Sequence, residues 1–181
     1  MEINDLKTLL LKYHIDIQKW SHTQGTKNLE DLKNEIDAGE TSLEIIDNKL
    51  IRVTRIASIK VKVKLGENMF TLVEDKQIFF TGAVRKRGLK NLAEKVKEGE
   101  TPELAAYRAL KEEIGLNTNK QLNKLKETQK ENDSFSYPGL NSIYKMFNYQ
   151  ISLNEQELEL IKFSEYQKNK GKITLFTLEP D

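Results

Sequence analysis

Apolar residues recur along this chain at two different periods, and the change from one to the other divides it. Leu6, Leu10, Tyr13 and Ile17 are spaced as on one face of a helix, and Leu29, Leu32 and Ile36 repeat that spacing before Gly39 stops it. The polar stretch Trp20-Ser-His-Thr-Gln-Gly-Thr lies between them with one large aromatic anchor. Residues 1–42 therefore read as a two-helix extension packed onto a main domain at 43–181. His14 and His22 are eight residues apart in different contexts, which suits packing or surface roles better than metal ligation.

From Leu43 the period becomes that of strands. Asp47-Asn48 is a turn between Leu43–Ile46 and Leu50–Ile56, and Ser58–Leu65 alternates apolar residues with Lys60, Lys62 and Lys64. Such lysines suit a nucleic-acid surface, but the favoured reading is that they keep an edge strand soluble. Gly66-Glu-Asn68 turns the chain into Met69–Glu74, and Gln77–Thr81 follows as another strand. Residues Asn117–Asp133 are polar and lysine-rich, part strand and part loop. Ser134–Leu140 forms a turn before a strand at Ser142–Leu153. The composition of Glu155–Asn169 predicts a helix, and Ile173–Leu178 a final strand. The order of strands and helices describes an α/β fold.

One helix is bounded with unusual clarity. Thr101 is a good N-cap, Pro102 suits the first helical position, and Gly115 can adopt the left-handed conformation that ends a helix. At roughly 100° per residue, Leu104, Tyr107, Leu110 and Ile114 share an arc suited to a core, while Arg108, Glu112, Ala109 and Glu113 share another. A carboxylate at 109 would complete an acidic cluster of the oxygen-only kind that Mg²⁺ or Mn²⁺ prefers. The same residues also describe a solvated helix face with an i,i+4 pair between Arg108 and Glu112.

Composition narrows the chemistry. The 181 residues suffice for one domain with an appendage. With 29 basic and 28 acidic side chains, the net charge of +1 exerts no general pull on nucleic acid or anionic membrane. The absence of cysteine excludes disulfides, thiol nucleophiles and cysteine-ligated metals. A start without a basic segment or a long apolar run leads to the expectation of a cytoplasmic protein and no membrane. The densest basic cluster, Arg85-Lys-Arg87, precedes the acidic helix. Its arginines offer planar forks suited to phosphate oxygens, although a solvated turn has the same composition.

The segment Gly99–Leu116 resembles the Nudix box: glycine, five residues, glutamate, seven residues, then Arg-Glu-apolar-any-Glu-Glu-any-Gly-apolar. Glu100, Arg108, Leu110, Glu112, Glu113, Gly115 and Leu116 fall on its positions. Glu94 stands where the opening glycine belongs, and Ala109 where a glutamate follows the arginine. Together with Ala93–Glu100 and Tyr137–Leu140, these departures resemble a less typical subgroup of the family with an N-terminal extension.

The resemblance implies a Nudix-like α/β/α sandwich and hydrolysis of a diphosphate linkage in a nucleoside diphosphate derivative or similar nucleotide, with Mg²⁺ or Mn²⁺. It implies catalytic roles for Glu112, Glu113 and Arg108, metal ligation by Glu112, Glu113 and Glu100, and substrate contacts from Arg85 and Arg87. Glu98, Glu131 or Asp133 would be substitutes for the missing ligand. Homodimers are common in the family, and RNA is a further partner to weigh. The alternative that Ala109 raises is a catalytically impaired module that binds a nucleotide or RNA.

Overall fold

Asp47 and Asn48 both take positive φ, 49° and 59°, and join Ile46 to its partner Lys49. Two left-handed residues in a two-residue loop match the twist of antiparallel strands. This hairpin pairs β1 (Ser42–Ile46) with the start of β2 (Lys49–Leu65). The computed structural model describes residues 2–181. These divide into two compact units, and β2 passes from one to the other.

Of the described residues, the first unit comprises 2–56, 95–101 and 127–146. Its helices are α1 (Ile3–Lys12) and α2 (Leu29–Asp37). The first ends at Lys12, before the predicted stripe reaches Ile17. His14 turns left-handed (φ 59°), its N–H donates to Leu11 O, and the Ile15 N–H reaches back to Leu10 O, both at 3.0 Å. That pair of bonds satisfies carbonyls that a frayed end would leave bare. Helix α2 begins with a reciprocal cap: Asn28 Oδ1 accepts from the Asp31 N–H, and Asp31 Oδ2 accepts from the Asn28 N–H. His22 Nε2 lies 2.6 Å from the same Asp31 oxygen.

The apolar stripes of both helices close on a core of Leu6, Leu10, Leu32, Trp20, Leu50, Tyr137 and Leu140. Trp20 is fixed at both ends, its Nε1 donating to Pro138 O at 2.9 Å and its ring lying 5.1 Å from that of Tyr137. Strand β7 (Thr128–Asp133) pairs antiparallel with the first part of β8 (Asn141–Leu153).

The second unit comprises 57–94, 102–126 and 147–181. It contains β3 (Asn68–Phe79), β4 (Val84–Leu89), most of β5 (Leu92–Lys95), α3 (Pro102–Ile114), β6 (Asn123–Lys124), α4 (Glu155–Leu158), β9 (Ser164–Gln167) and β10 (Lys172–Pro180). The strand order is β6-β8-β2-β3-β10-β9, with β4 also on β3 and β5 also on β2. The fold is α/β, with a large sheet and four α-helices among the described residues. No helix among the described residues is long and apolar enough to cross a membrane.

Three expectations change here. Strand β2 lies between β8 and β3, so its lysines do not mark an edge. Ile59, Val61 and Val63 are buried while Lys62 Nζ reaches Thr71 Oγ1 at 2.8 Å and both Asp181 carboxylate oxygens at 2.7 Å. Met69–Glu74 and Gln77–Thr81 are one strand, β3. The helix expected at Glu155–Asn169 stops at Leu158, because Ser164–Gln167 pairs with Leu175–Lys172 of β10. Edge pairing on an existing sheet outweighs the modest helix propensity of Glu, Gln and Lys.

Candidate active site

Helix α3 spans Pro102–Ile114, as its caps predict, but its buried face is rotated. Ala105, Ala106, Ala109, Leu110 and Ile114 are buried, whereas Leu104 is 57 % exposed. Alanine's small side chain lets the helix approach its neighbours closely, so the alanine face takes the core. Ala109 is thereby fully buried. At the far end Gly115 takes φ +72°, and a Cβ there would lie 3.2 Å from Lys162 Cδ. The Lys162 N–H donates to Ile114 O at 2.7 Å, which closes the helix end.

Along the partly exposed face, Arg108 Nη1 meets Glu94 Oε2 at 2.8 Å and Glu112 Oε2 at 3.8 Å. Glu94 lies on β5, a strand not foreseen from the sequence. The neighbouring Ala93 N–H donates to Glu113 Oε1 at 3.0 Å. Helix and strand thus fix each other through two carboxylates, one from each.

Glu113 and Glu94 line a narrow cleft of about 160 Å³ with Glu74 and Glu165. Burial pushes the Glu113 carboxyl up to about 8 against the Ala93 hydrogen bond, and the charges of Glu165, Glu94 and Glu74 add to the rise. Glu165 is also raised, by burial first and by Glu94. Arg87, Lys170 and Lys172 line the same cleft. Arg87 Nε lies 3.3 Å from Glu74 Oε1. With its amide oxygen turned towards the cations, Gln77 accepts from Arg87 Nη1 at 2.9 Å and from Lys172 Nζ at 2.7 Å. Burial and the neighbouring Lys170 and Arg87 charges lower the Lys172 ammonium.

The residues singled out from sequence fall in different places. Glu113 and Arg87 line this cleft, and Arg108 stands behind it through Glu94. Glu112 is half exposed on a wider cleft of about 420 Å³ that also has Glu113 and Glu165 in its lining. Arg85, opposite Gln77 on β4, is exposed and lines neither cleft. Glu100 belongs to the first unit, where its carboxylate accepts from the Lys97 N–H at 3.0 Å. Glu98 lines a separate cleft of that unit, and Glu131 and Asp133 are exposed on β7. Sequence reasoning did not find Glu74, Glu165, Gln77, Lys170 or Lys172. They come from β3, β9, the β9–β10 connection and the start of β10, where nothing in local spacing ties them to the helix.

The donor set suits a hard divalent cation in its chemistry, being carboxylate oxygens crowded enough to raise one another's proton affinity. Gln167 Oε1, on the cleft wall, is buried and has no hydrogen-bond partner among the described residues. No three acidic or histidine side chains among those residues are gathered into a finished coordination sphere.

The model of the NUDIX domain matches residues 65–172, more than half of the chain. No curated protein matches. Among solved structures, the chain is similar to a Caenorhabditis elegans Ap4A hydrolase in a binary complex, with 17 % identity over 70 % of this chain and 80 % of that one and a TM-score of 0.43. It is similar to a MutT/nudix family protein from Enterococcus faecalis, with 11 % identity over 87 % and 52 % and a TM-score of 0.48. It is also similar to the Escherichia coli dihydroneopterin triphosphate pyrophosphohydrolase, with 20 % identity over 66 % and 77 % and a TM-score of 0.38. The family generally works with divalent cations. With the box helix, its glutamates and a domain match across most of the strands that surround them, the chain belongs to the Nudix family.

Proposed function

We propose that this protein is a divalent-cation-dependent hydrolase of the cytoplasm that cleaves a diphosphate linkage in a nucleoside diphosphate derivative or similar nucleotide. One observation carries this reading. Glu113 of the box helix, crowded by Glu94, Glu165 and Glu74, shares a cleft with Arg87, Lys170 and Lys172. Carboxylates and cations in one cleft are what a metal-bridged diphosphate requires.

Glu113, with Glu94, Glu165 and the neighbouring Glu112, would hold Mg²⁺ or Mn²⁺. The bound ion supplies charge neutralisation on the phosphate oxygens and a more acidic water. The Ala93 N–H and Arg108 orient Glu113 and Glu94. Arg87, Lys170 and Lys172 bind phosphate oxygens, the arginine by its planar fork. Glu100, matched to the box but committed to the Lys97 N–H, acts on the turn that leads into α3.

A phosphate-release panel with Mg²⁺ and Mn²⁺ tests the reading on nucleoside triphosphates, dinucleoside polyphosphates, nucleotide sugars, ADP-ribose and 5′-triphosphate RNA. Turnover that disappears in Glu113→Gln supports it. Absence of turnover throughout, with no divalent-cation binding by calorimetry, removes it. The buried Ala109 favours a second reading, a nucleotide- or RNA-binding module without efficient hydrolysis. Nucleotide binding without turnover, or salt-dependent RNA binding, would select that one.

A further inference from the structure

The first unit holds a cleft of about 440 Å³ that shares no residue with either cleft of the second. Its volume lies in the range of small-molecule sites. Most of its lining precedes the NUDIX match at 65–172. The cleft follows from how α2 ends. Gly39 takes φ +66°, and a Cβ there would lie 2.7 Å from Glu98 Cβ and 2.8 Å from the Glu98 nitrogen. A glycine is what lets the chain at 96–98 sit so close. The Val96 N–H donates to Arg55 O at 2.8 Å, which pins the same segment at a second point. Backbone contacts therefore fix the walls before any ligand arrives.

Leu9, Ile36 and Leu43 give the cleft an apolar side, where partly buried side chains pack on the helical core. Ser42 lies opposite Val53 across β1 and β2, and the two-residue repeat of strands puts Glu44 and Arg55 on that same face. The polar groups of the lining divide into two sets. Glu40 is held by Lys95 at 2.8 Å, and Thr41 Oγ1 donates to Val53 O at 2.9 Å, so these belong to the framework. Lys97, Lys145 and Glu98 have no side-chain partner among the described residues, and Glu44 meets only the Ser42 hydroxyl, at 3.2 Å. Uncommitted charges of both signs thus surround one apolar surface. An anion alone would leave the carboxylates uncompensated, and a cation alone would leave the ammonium groups so. A molecule with an apolar body and one charge of each sign answers both sets, with a charge-assisted hydrogen bond at each end.

We infer that this cleft is a second binding site of the protein, for a small zwitterion with an apolar body, the class of a free apolar amino acid. The carboxylate is received by Lys97 and Lys145, the ammonium group by Glu44 and Glu98, and the side chain by Leu9, Ile36 and Leu43. The site stands apart from the hydrolase reading of the second unit and holds whether or not that reading does.

Titration of the isotope-labelled full chain, followed by NMR, tests this with four probes. L-phenylalanine carries both charges and an apolar body. L-phenylalaninamide lacks the carboxylate, 3-phenylpropanoate lacks the ammonium group, and glycine lacks the apolar body. L-phenylalanine is expected to shift the amide signals of residues 39–44, 53–55 and 96–98 in one saturable event, at least about 10-fold more tightly than each of the others. Lys97→Gln with Lys145→Gln removes its advantage over L-phenylalaninamide, and Glu44→Gln with Glu98→Gln removes its advantage over 3-phenylpropanoate. Thermal melting close to wild type shows that both double variants are folded. Leu43→Ser, a milder change on the apolar side, weakens L-phenylalanine while leaving the weak glycine response unaltered. Equal affinity for L-phenylalanine and either singly charged analogue, no saturable binding of any probe, or shifts confined to residues outside the cleft overturns the inference. So does a preference for the zwitterion that survives both double variants.

Discussion

Arg108 holds Glu94 at 2.8 Å, so the residue that replaces the opening glycine of the Nudix box is the partner of the arginine fourteen positions later. The substitution at Glu94 therefore belongs to the construction of the site. Glu94→Gln removes the carboxylate charge that Arg108 meets at 2.8 Å. We expect kcat/KM to fall by roughly 10-fold with little change in melting temperature, as for the loss of one charge-assisted hydrogen bond. Steady-state kinetics beside thermal melting will show whether the two quantities separate in this way.

Glu113 is crowded by burial and by three other carboxylates, and Gln relieves that crowding while retaining the bond from the Ala93 N–H. Glu113→Gln is expected to lower turnover by roughly 100-fold or more. The cation-free variant should melt no lower than wild type. A variant that melts well below wild type would mean that the side chain holds the fold together and would leave its role in chemistry unsupported.

Arg87 and Arg85 are two residues apart on β4 and differ in their surroundings. Arg87 contacts Glu74 and lines the cleft, whereas Arg85 is exposed outside it. Arg87→Ala is expected to raise KM by about 10-fold, and Arg85→Ala to leave it within about twofold. Equal effects would place phosphate binding elsewhere.

Ala109 is fully buried on the alanine face of α3. Restoring the glutamate of the box puts a carboxylate into that face, and Ala109→Glu is expected to cost about 2–4 kcal/mol in urea unfolding without divalent cation. A stability equal to wild type would show that position 109 opens to the cleft. A rise in turnover would identify its missing carboxylate as the limit on chemistry.

Glu35 sits in the first unit between cations, 7 % exposed, with Arg52 Nη2 at 2.6 Å from its Oε2. Lys27 and the Tyr137 hydroxyl both donate to Oε1, and Lys95 lies 3.5 Å from Oε2. Burial disfavours its charge, but the hydrogen bonds from Lys27 and Arg52 and the charges of Arg52 and Lys95 outweigh it and hold the carboxyl at about 2. With the folded value depressed below the ordinary 4.5, its stabilisation is complete above pH 4.5 and is lost as pH falls towards 2. The loss amounts to roughly 3 kcal/mol. Trp20, the one tryptophan, packs against Tyr137, so its fluorescence in urea titrations at several pH values reads this unit. Glu35→Gln should flatten the dependence between pH 5 and 2.

What the sequence determined by itself was local. The caps and spacing of α3, the Asp47-Asn48 turn, the apolar stripes of the two N-terminal helices and the box residues from Glu100 to Leu116 were legible, because each depends on neighbours within a few positions. The long reach of the site was not. Glu74, Glu165, Lys170 and Lys172 meet Glu113 only because β3, β9 and β10 bring them beside α3, and β9 itself exists only because it pairs with β10. Its composition favours a helix, and the strand pairing that overrides this comes from Lys172–Leu175, across the turn that follows. The face that α3 buries was likewise decided by packing, which took the alanines and left Leu104 in solvent. Periodicity locates the faces of a helix, but close approach in the folded core selects which of them is covered.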